Sequence, residues 1–96
     1  MNIEQYLLIQ LMEECAEVQK ECAKSLRFGL DTEIPTRGGT NRYLLSTELT
    51  DLMGTLELIK LNQIFDAKVT AEGIETKMRK IEKYMQYSEH IGILKS

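Results

Sequence analysis

Two pairs of acidic residues have a spacing that would let them share a metal ion. Glu14 and Glu17 are three residues apart, and Glu48 and Asp51 repeat this spacing. On an α-helix, residues three apart lie on one face. Each of the four acids stands one residue before a member of its helix's apolar stripe, namely Cys15, Val18, Leu49 and Leu52. Both pairs therefore flank their stripes on the same side, and they converge on one cleft if the helices pack antiparallel.

Four carboxylates in one cleft repel each other unless a cation lies among them. Mg²⁺ is the natural candidate because it takes hard oxygen ligands and completes its shell with water and substrate phosphates. Mn²⁺ is a possible substitute. Glu57 is about 180° around the helix from Glu48 at 3.6 residues per turn, so it should point away. The residues alone leave a second interpretation open, in which both pairs are solvated surface charge.

Apolar residues at alternating steps of three and four predict the helices that would position these acids. The stripe of the first helix consists of Leu8, Leu11, Cys15, Val18 and Cys22. We expect helices near residues 3–26, 42–65 and 71–89, with Asn41 and Thr70 as N-caps of the second and third. Residues 29–41 contain the only proline and several glycines, and they predict a loop. The predicted fold class is all-α, a helical bundle of three main helices per chain completed by oligomerisation. Leu7, Leu44, Leu58 and Ile64 add apolar surface for that assembly.

Composition narrows the possible classes of protein. A chain of 96 residues is expected to form a single domain over 1–96. A net charge of −3 argues against a general nucleic-acid binder. We expect no membrane span, no secretory signal and a cytoplasmic location, because no long apolar run or basic leader is present. Cys15 and Cys22 are two helical turns apart, too far for a disulfide, and we expect both to be small core residues.

Four segments resemble the MazG-like family of the all-α NTP pyrophosphatase superfamily. Residues 11–18, LMEECAEV, resemble the family's EExxE helix, and residues 47–52, TELTDL, resemble its ExxD helix. Residues 24–30, KSLRFGL, and 80–88, KIEKYMQYS, resemble a small subgroup. The similarity covers nearly the whole chain. The segment 18–47 between the two pairs is slightly longer than in many members, which points to an altered substrate pocket or a lid.

The resemblance implies a nucleoside triphosphate pyrophosphohydrolase that cleaves between the α- and β-phosphates and releases a monophosphate and pyrophosphate. Glu14, Glu17, Glu48 and Asp51 would be both the metal ligands and the catalytic residues. The substrate would also need cationic and stacking partners. The cations around the end of the first helix and the loop are Lys20, Lys24, Arg27, Arg37 and Arg42. The candidates are Lys24, Arg27, Arg42, Lys83 and Tyr84, and a solvated or packing role for each stays open.

Two other functions compete with catalysis. One is a nucleotide-binding protein of the same fold that sequesters its ligand without turnover. The other is a purely structural helical oligomer. The expected partners are a nucleoside triphosphate or related nucleotide and further copies of the chain in a homodimer or homotetramer, with neither a nucleic-acid polymer nor a membrane.

Overall fold

Three α-helices make up most of the chain. The structure is a computed structural model that describes residues 1–63 and 65–95. Helix α1 spans Ile3–Phe28, α2 spans Asn41–Asn62 and α3 spans Ala71–His90. Within the described residues there is no strand, and extended backbone pairs only in an isolated antiparallel bridge between Glu33 and Thr40. The prediction of an all-α fold is therefore confirmed.

Side chains cap the start of each helix, as the free N–H groups there require. Asn2 and Gln5 form a capping box at α1. Thr70 accepts from the N–H of Gly73 at α3, which confirms its prediction as an N-cap. At α2 the prediction was one residue too late, because the hydroxyl of Thr40, and not the side chain of Asn41, accepts from the N–H of Tyr43.

The ends of the helices differ from the predicted ones where the backbone turns left-handed. Helix α1 continues to Phe28 because Gly29, at φ 97°, is the first residue to leave the helix. Helix α2 stops at Asn62 rather than at residue 65, since Gln63 adopts φ 51°. Ile64 lies outside the described residues, so the apolar surface predicted there is not described.

The chain divides into two compact units, Met1–Asp66 and Ala67–Ser96. In the first unit α1 packs against α2. Among the described residues, Leu7 and Ile59 are the buried hydrophobic side chains, with Glu21, Asn41 and Thr55 as buried polar ones. Cys15 and Cys22 are both exposed. The prediction that they are core residues is wrong for the single chain, because α1 turns Leu7 inward and presents the cysteines to solvent.

The second unit consists mainly of α3, which has no buried residue. Its apolar stripe consists of Ile74, Met78, Ile81 and Met85. The exposed fraction of each of these residues is between 48% and 54%. No helix in the described part of the chain is both long and apolar enough to cross a membrane.

Backbone and side-chain hydrogen bonds join the two ends of the loop between α1 and α2. The buried Asn41 side chain donates to the carbonyl of Gly29 at 2.9 Å, and its own N–H donates to the carbonyl of Thr32 at 3.0 Å. The N–H of Arg42 donates to the carbonyl of Leu30 at 2.8 Å. The end of α1 is thus held beside the start of α2, which makes the two helices antiparallel neighbours.

Candidate metal centre

The antiparallel packing of α1 and α2 brings three of the four predicted acids together. One carboxylate oxygen from each of Glu14, Glu48 and Asp51 lies within 4.8 Å of the other two. Glu14 comes from the middle of α1, and the other two come from adjacent turns of α2. The i,i+3 spacing within α2 and the antiparallel hairpin together account for this cluster, which we call the carboxylate cluster.

Each member of the carboxylate cluster has a different environment. Glu14 is half-buried, and its Oε1 accepts a hydrogen bond from Nε2 of Gln10 at 2.8 Å. Gln10 is one turn earlier on α1, so this bond restrains the Glu14 carboxylate from the same helix. Glu48 is half-buried and Asp51 is exposed. The cluster therefore stands at the edge of the helix interface, accessible to a ligand from solvent.

The charges of the cluster are not compensated within it. Partial burial raises the pKa of Glu48, and the nearby charges of Asp51, Glu17, Glu14 and Glu21 raise it further. Like charges at these separations disfavour ionisation. A divalent cation would relieve this repulsion, and three hard oxygen donors suit Mg²⁺ or Mn²⁺. Within residues 1–63 and 65–95, this is the one group of three or more acids, histidines or cysteines with such spacing.

Glu17, the fourth predicted ligand, is near the cluster but not part of it. Its carboxylate lies 3.8 Å from the ammonium of Lys20 on the same helix. It remains close enough for its charge to raise the pKa of Glu48. Its role as a metal ligand stays a prediction. Glu57, expected to point away, is exposed and lies 3.4 Å from Lys60.

An open groove of about 540 Å³ adjoins the carboxylate cluster. Glu14 and Asp51 lie on its wall, and the remainder is lined by Tyr6, Leu7, Gln10, Thr50, Gly54, Thr55 and Leu58. A side chain at Gly54 would meet nothing within 4 Å of its first carbon, so the absence of one there adds free space. The groove thus joins charged oxygen atoms to an apolar and aromatic surface.

The predicted cationic partners within the first unit lie in different settings. Lys24 is half-buried on α1. Arg27 is exposed, with its guanidinium carbon 5.9 Å from the ring centre of Phe28. Arg42 pairs with Asp31 on the loop, Nε to Oδ1 at 2.8 Å, and this pair lowers the pKa of Asp31. In this structure Arg42 is therefore engaged by Asp31 and not by the carboxylate cluster.

Lys83 and Tyr84, the remaining predicted substrate partners, belong to the second compact unit. Both are exposed on α3, Tyr84 with 61% of its surface accessible. A role of these residues in the site stays a prediction.

Of two further charged residues near the cluster, Glu21 was not predicted as a site residue, and Arg37 was counted among the cations around the loop without being favoured. Glu21 is buried, 2% exposed, and accepts a hydrogen bond at Oε1 from Nη2 of Arg37 on the loop. This bond, and then the charges of Glu21, Glu17 and Glu48, raise the pKa of Arg37, while partial burial opposes the rise. Glu21 could have been found, since it continues the acidic face of α1 one turn beyond Glu17. Arg37 has no comparable signal, because its placement depends on the conformation of the loop.

Comparison of the chain with models of known protein families, with curated proteins and with solved structures finds no match.

Proposed function

We propose that this chain is a magnesium-dependent nucleoside triphosphate pyrophosphohydrolase, the activity implied by its resemblance to MazG-like proteins. The observation that carries the proposal is the convergence of Glu14, Glu48 and Asp51 from two helices within 4.8 Å. Three like charges this close together repel each other, and Gln10 nevertheless holds the half-buried Glu14 among them. A bound cation that in turn binds phosphate gives that arrangement a role.

In the proposed reaction, a water oxygen forms a bond to the α-phosphorus while the bond from that phosphorus to the bridging oxygen breaks. Pyrophosphate leaves, and the water gives up its proton. Glu14, Glu48 and Asp51 would hold Mg²⁺, which when bound neutralises phosphate oxygens and makes a bound water more acidic. The chain's own contribution is to orient these oxygen donors on two rigid helices.

Glu17 is the carboxylate best placed to take the proton from the attacking water. It lies outside the three-oxygen group, so its oxygens are not all needed for the metal. It is nevertheless near enough to Glu48 to influence the pKa of that residue. A general base must lie within hydrogen-bond reach of its proton, directly or through one water, and we assign that role to Glu17 because it lies beside the proposed metal ligands without being one of the three.

The direct test is pyrophosphate release from a panel of canonical, deoxy and damaged nucleoside triphosphates with Mg²⁺. Replacing Glu14, Glu17, Glu48 or Asp51 singly with alanine should reduce turnover at least roughly 100-fold, the scale seen when a key electrostatic group is lost. Glu57→Ala is the matched control and should leave turnover unchanged. If the wild type binds triphosphates but releases no pyrophosphate, the protein sequesters nucleotide instead. If it binds neither Mg²⁺ nor nucleotide, both functions are excluded.

The proposed active form is a homodimer or homotetramer. A single chain leaves many large hydrophobic side chains exposed, among them Ile3, Met12, Leu61 and Ile74. Apolar surface of this extent on a small domain usually marks an interface.

A further inference from the structure

A buried ion pair links the loop to the acidic face of α1. The Glu21 side chain is 2% exposed and the Arg37 side chain 20% exposed. Taking two charges out of water is costly unless their remaining hydrogen-bonding atoms are also satisfied. The partners of these atoms therefore decide whether the pair is a structural tether or part of a binding site.

Each residue of this ion pair has one buried polar atom without a hydrogen-bond partner. Nη1 of Arg37 and Oε2 of Glu21 are both buried, and neither has a hydrogen-bond partner. Buried polar atoms in folded proteins almost always have one. Arginine–carboxylate pairs frequently form two parallel hydrogen bonds, but Nη1 of Arg37 donates none to Glu21. Arg37 instead keeps one N–H group available for another acceptor.

The position of Arg37 indicates what that acceptor is. Glu21 lies two turns beyond Glu14 on α1, about 10 Å along the helix axis. Arg37 hydrogen-bonds to Glu21, which lies one turn beyond Glu17 on the acidic face of α1. The charges of Glu17 and Glu48 also contribute to the raised pKa of Arg37. The groove lined by Tyr6 and Gly54 adjoins Glu14 and Asp51 toward the start of α1, away from Glu21. The site therefore has a cationic end and an apolar end, with the acids between them.

We propose that Arg37 binds the phosphate chain of the substrate, that Glu21 positions its guanidinium, and that the nucleoside lies in the groove beside Gly54. This inference rests on the proposed function and adds the direction in which the triphosphate lies. The terminal phosphates point toward Arg37 and the base toward Tyr6. An arginine suits this role because its planar fork can donate to Glu21 and to a phosphate oxygen together.

The test for Arg37 uses inorganic tripolyphosphate, which has the phosphate chain but no nucleoside. Its binding with Mg²⁺ is measured by calorimetry for the wild type and for Arg37→Gln. Loss of a charge-assisted hydrogen bond should weaken binding at least about tenfold. The rise in melting temperature caused by Mg²⁺ alone should persist, because Arg37 is not a metal ligand. Lys60→Gln is the matched control, as Lys60 is exposed and pairs with the exposed Glu57, outside the carboxylate cluster.

The role of Glu21 is tested by a double-mutant cycle. Glu21→Gln should weaken tripolyphosphate binding in the wild-type background and cause no further loss in the Arg37→Gln background. Equal losses in both backgrounds would overturn the positioning role. If Arg37→Gln does not fold, Arg37→Lys replaces it, and this variant should bind tripolyphosphate more weakly than the wild type because it lacks the fork. Unchanged affinity in the variant used would overturn the role of Arg37.

The direction of the substrate is tested in the groove beside Gly54, at the end of the site opposite to Arg37. Gly54→Leu fills space beside Asp51. It should weaken the binding of a nucleoside triphosphate that the wild type hydrolyses much more than the binding of tripolyphosphate. Equal weakening of both ligands would overturn the proposed direction. A wild type that binds neither Mg²⁺ nor tripolyphosphate would overturn the proposed function itself. A wild type that binds both, with Arg37→Gln equal to it, would overturn this inference alone.

Discussion

Asp51→Asn should stabilise the metal-free protein while abolishing its response to Mg²⁺. The substitution keeps the shape of the side chain and removes one charge from the carboxylate cluster. It leaves intact the hydrogen bond from the hydroxyl of Thr55 to the Asp51 carbonyl, at 3.0 Å. The effect on folding therefore comes from charge and not from the loss of a helix contact.

The size of the stabilisation follows from the distance within the cluster. The nearest carboxylate oxygens of Asp51 and Glu14 lie within 4.8 Å of each other. At that distance two unit charges repel by about 0.9 kcal/mol in a water-like dielectric. That dielectric applies because Asp51 is exposed. Relief of this repulsion should raise the melting temperature by roughly 4–7 °C for a domain of this size.

In the presence of Mg²⁺ the wild type should become more stable than Asp51→Asn. At a free Mg²⁺ concentration ten times its Kd, the wild type gains about 1.4 kcal/mol by mass action. This gain corresponds to roughly 6–11 °C in melting temperature. Asp51→Asn has one fewer carboxylate ligand and should gain almost nothing at the same concentration.

Thermal melting followed by circular dichroism, with a chelator and then with Mg²⁺, measures both effects. Ionic strength must be held constant, because salt also screens the repulsion between carboxylates. Glu57→Gln serves as the control, since it removes an exposed carboxylate outside the cluster and should match the wild type with and without Mg²⁺. Equal gains from Mg²⁺ in the wild type and Asp51→Asn would refute the metal site. A lower melting temperature of Asp51→Asn in chelator would refute the repulsion.

Four further outcomes are expected. Glu17→Gln should lose turnover at least roughly 100-fold yet keep the Mg²⁺-dependent rise in melting temperature; loss of both would make Glu17 a ligand instead of the base. Arg42→Gln should return the pKa of Asp31, measured by NMR titration, toward its ordinary value of 3.8. Because Arg42 lowers that pKa, the stabilisation by this pair is present above the ordinary value and is lost as pH falls through the lowered one, and an unchanged titration would contradict the ion pair. Asn41→Ala should lower the free energy of unfolding by about 1–3 kcal/mol, measured with urea, because the carbonyl of Gly29 loses its buried donor. Light scattering should give a mass above the 11.1 kDa of one chain, and a stable monomer at micromolar concentration would contradict the proposed assembly.

The helices and the three residues of the carboxylate cluster could be predicted from the sequence because both depend on helical periodicity. A repeat of three and four residues specifies which positions share a face, and that was sufficient to bring Glu14, Glu48 and Asp51 together. Periodicity locates the centre of a face less precisely. The predicted stripe of α1 contained Leu8, which is 40% exposed, whereas its neighbour Leu7 is 4% exposed. The two positions differ by about 100° around the helix, and only the partner helix decides between them.

The placement of Arg37 could not be predicted, because it depends on a loop with unusual backbone angles. Thr36, Gly38 and Gly39 all have positive φ, at 70°, 84° and 157°. Glycine adopts such angles readily, but Thr36 does not, so the path of the loop also depends on the contacts that close it, among them those of the buried Asn41. The partner of Arg37, Glu21, is far from it in sequence, so no local pattern connects the two.

The hydrogen bonds that join the ends of the loop have a consequence for how this protein can evolve. They involve Asn41, Arg42 and the backbone of residues 29–32, and they leave residues 33–39 between two firm anchor points. The three acids of the carboxylate cluster lie on the helices outside this segment. Lineages could therefore exchange or lengthen residues 33–39, and with them the surface around Arg37, while they inherit the two helices and the carboxylate cluster unaltered. The same separation offers a protein engineer a segment in which to build a library.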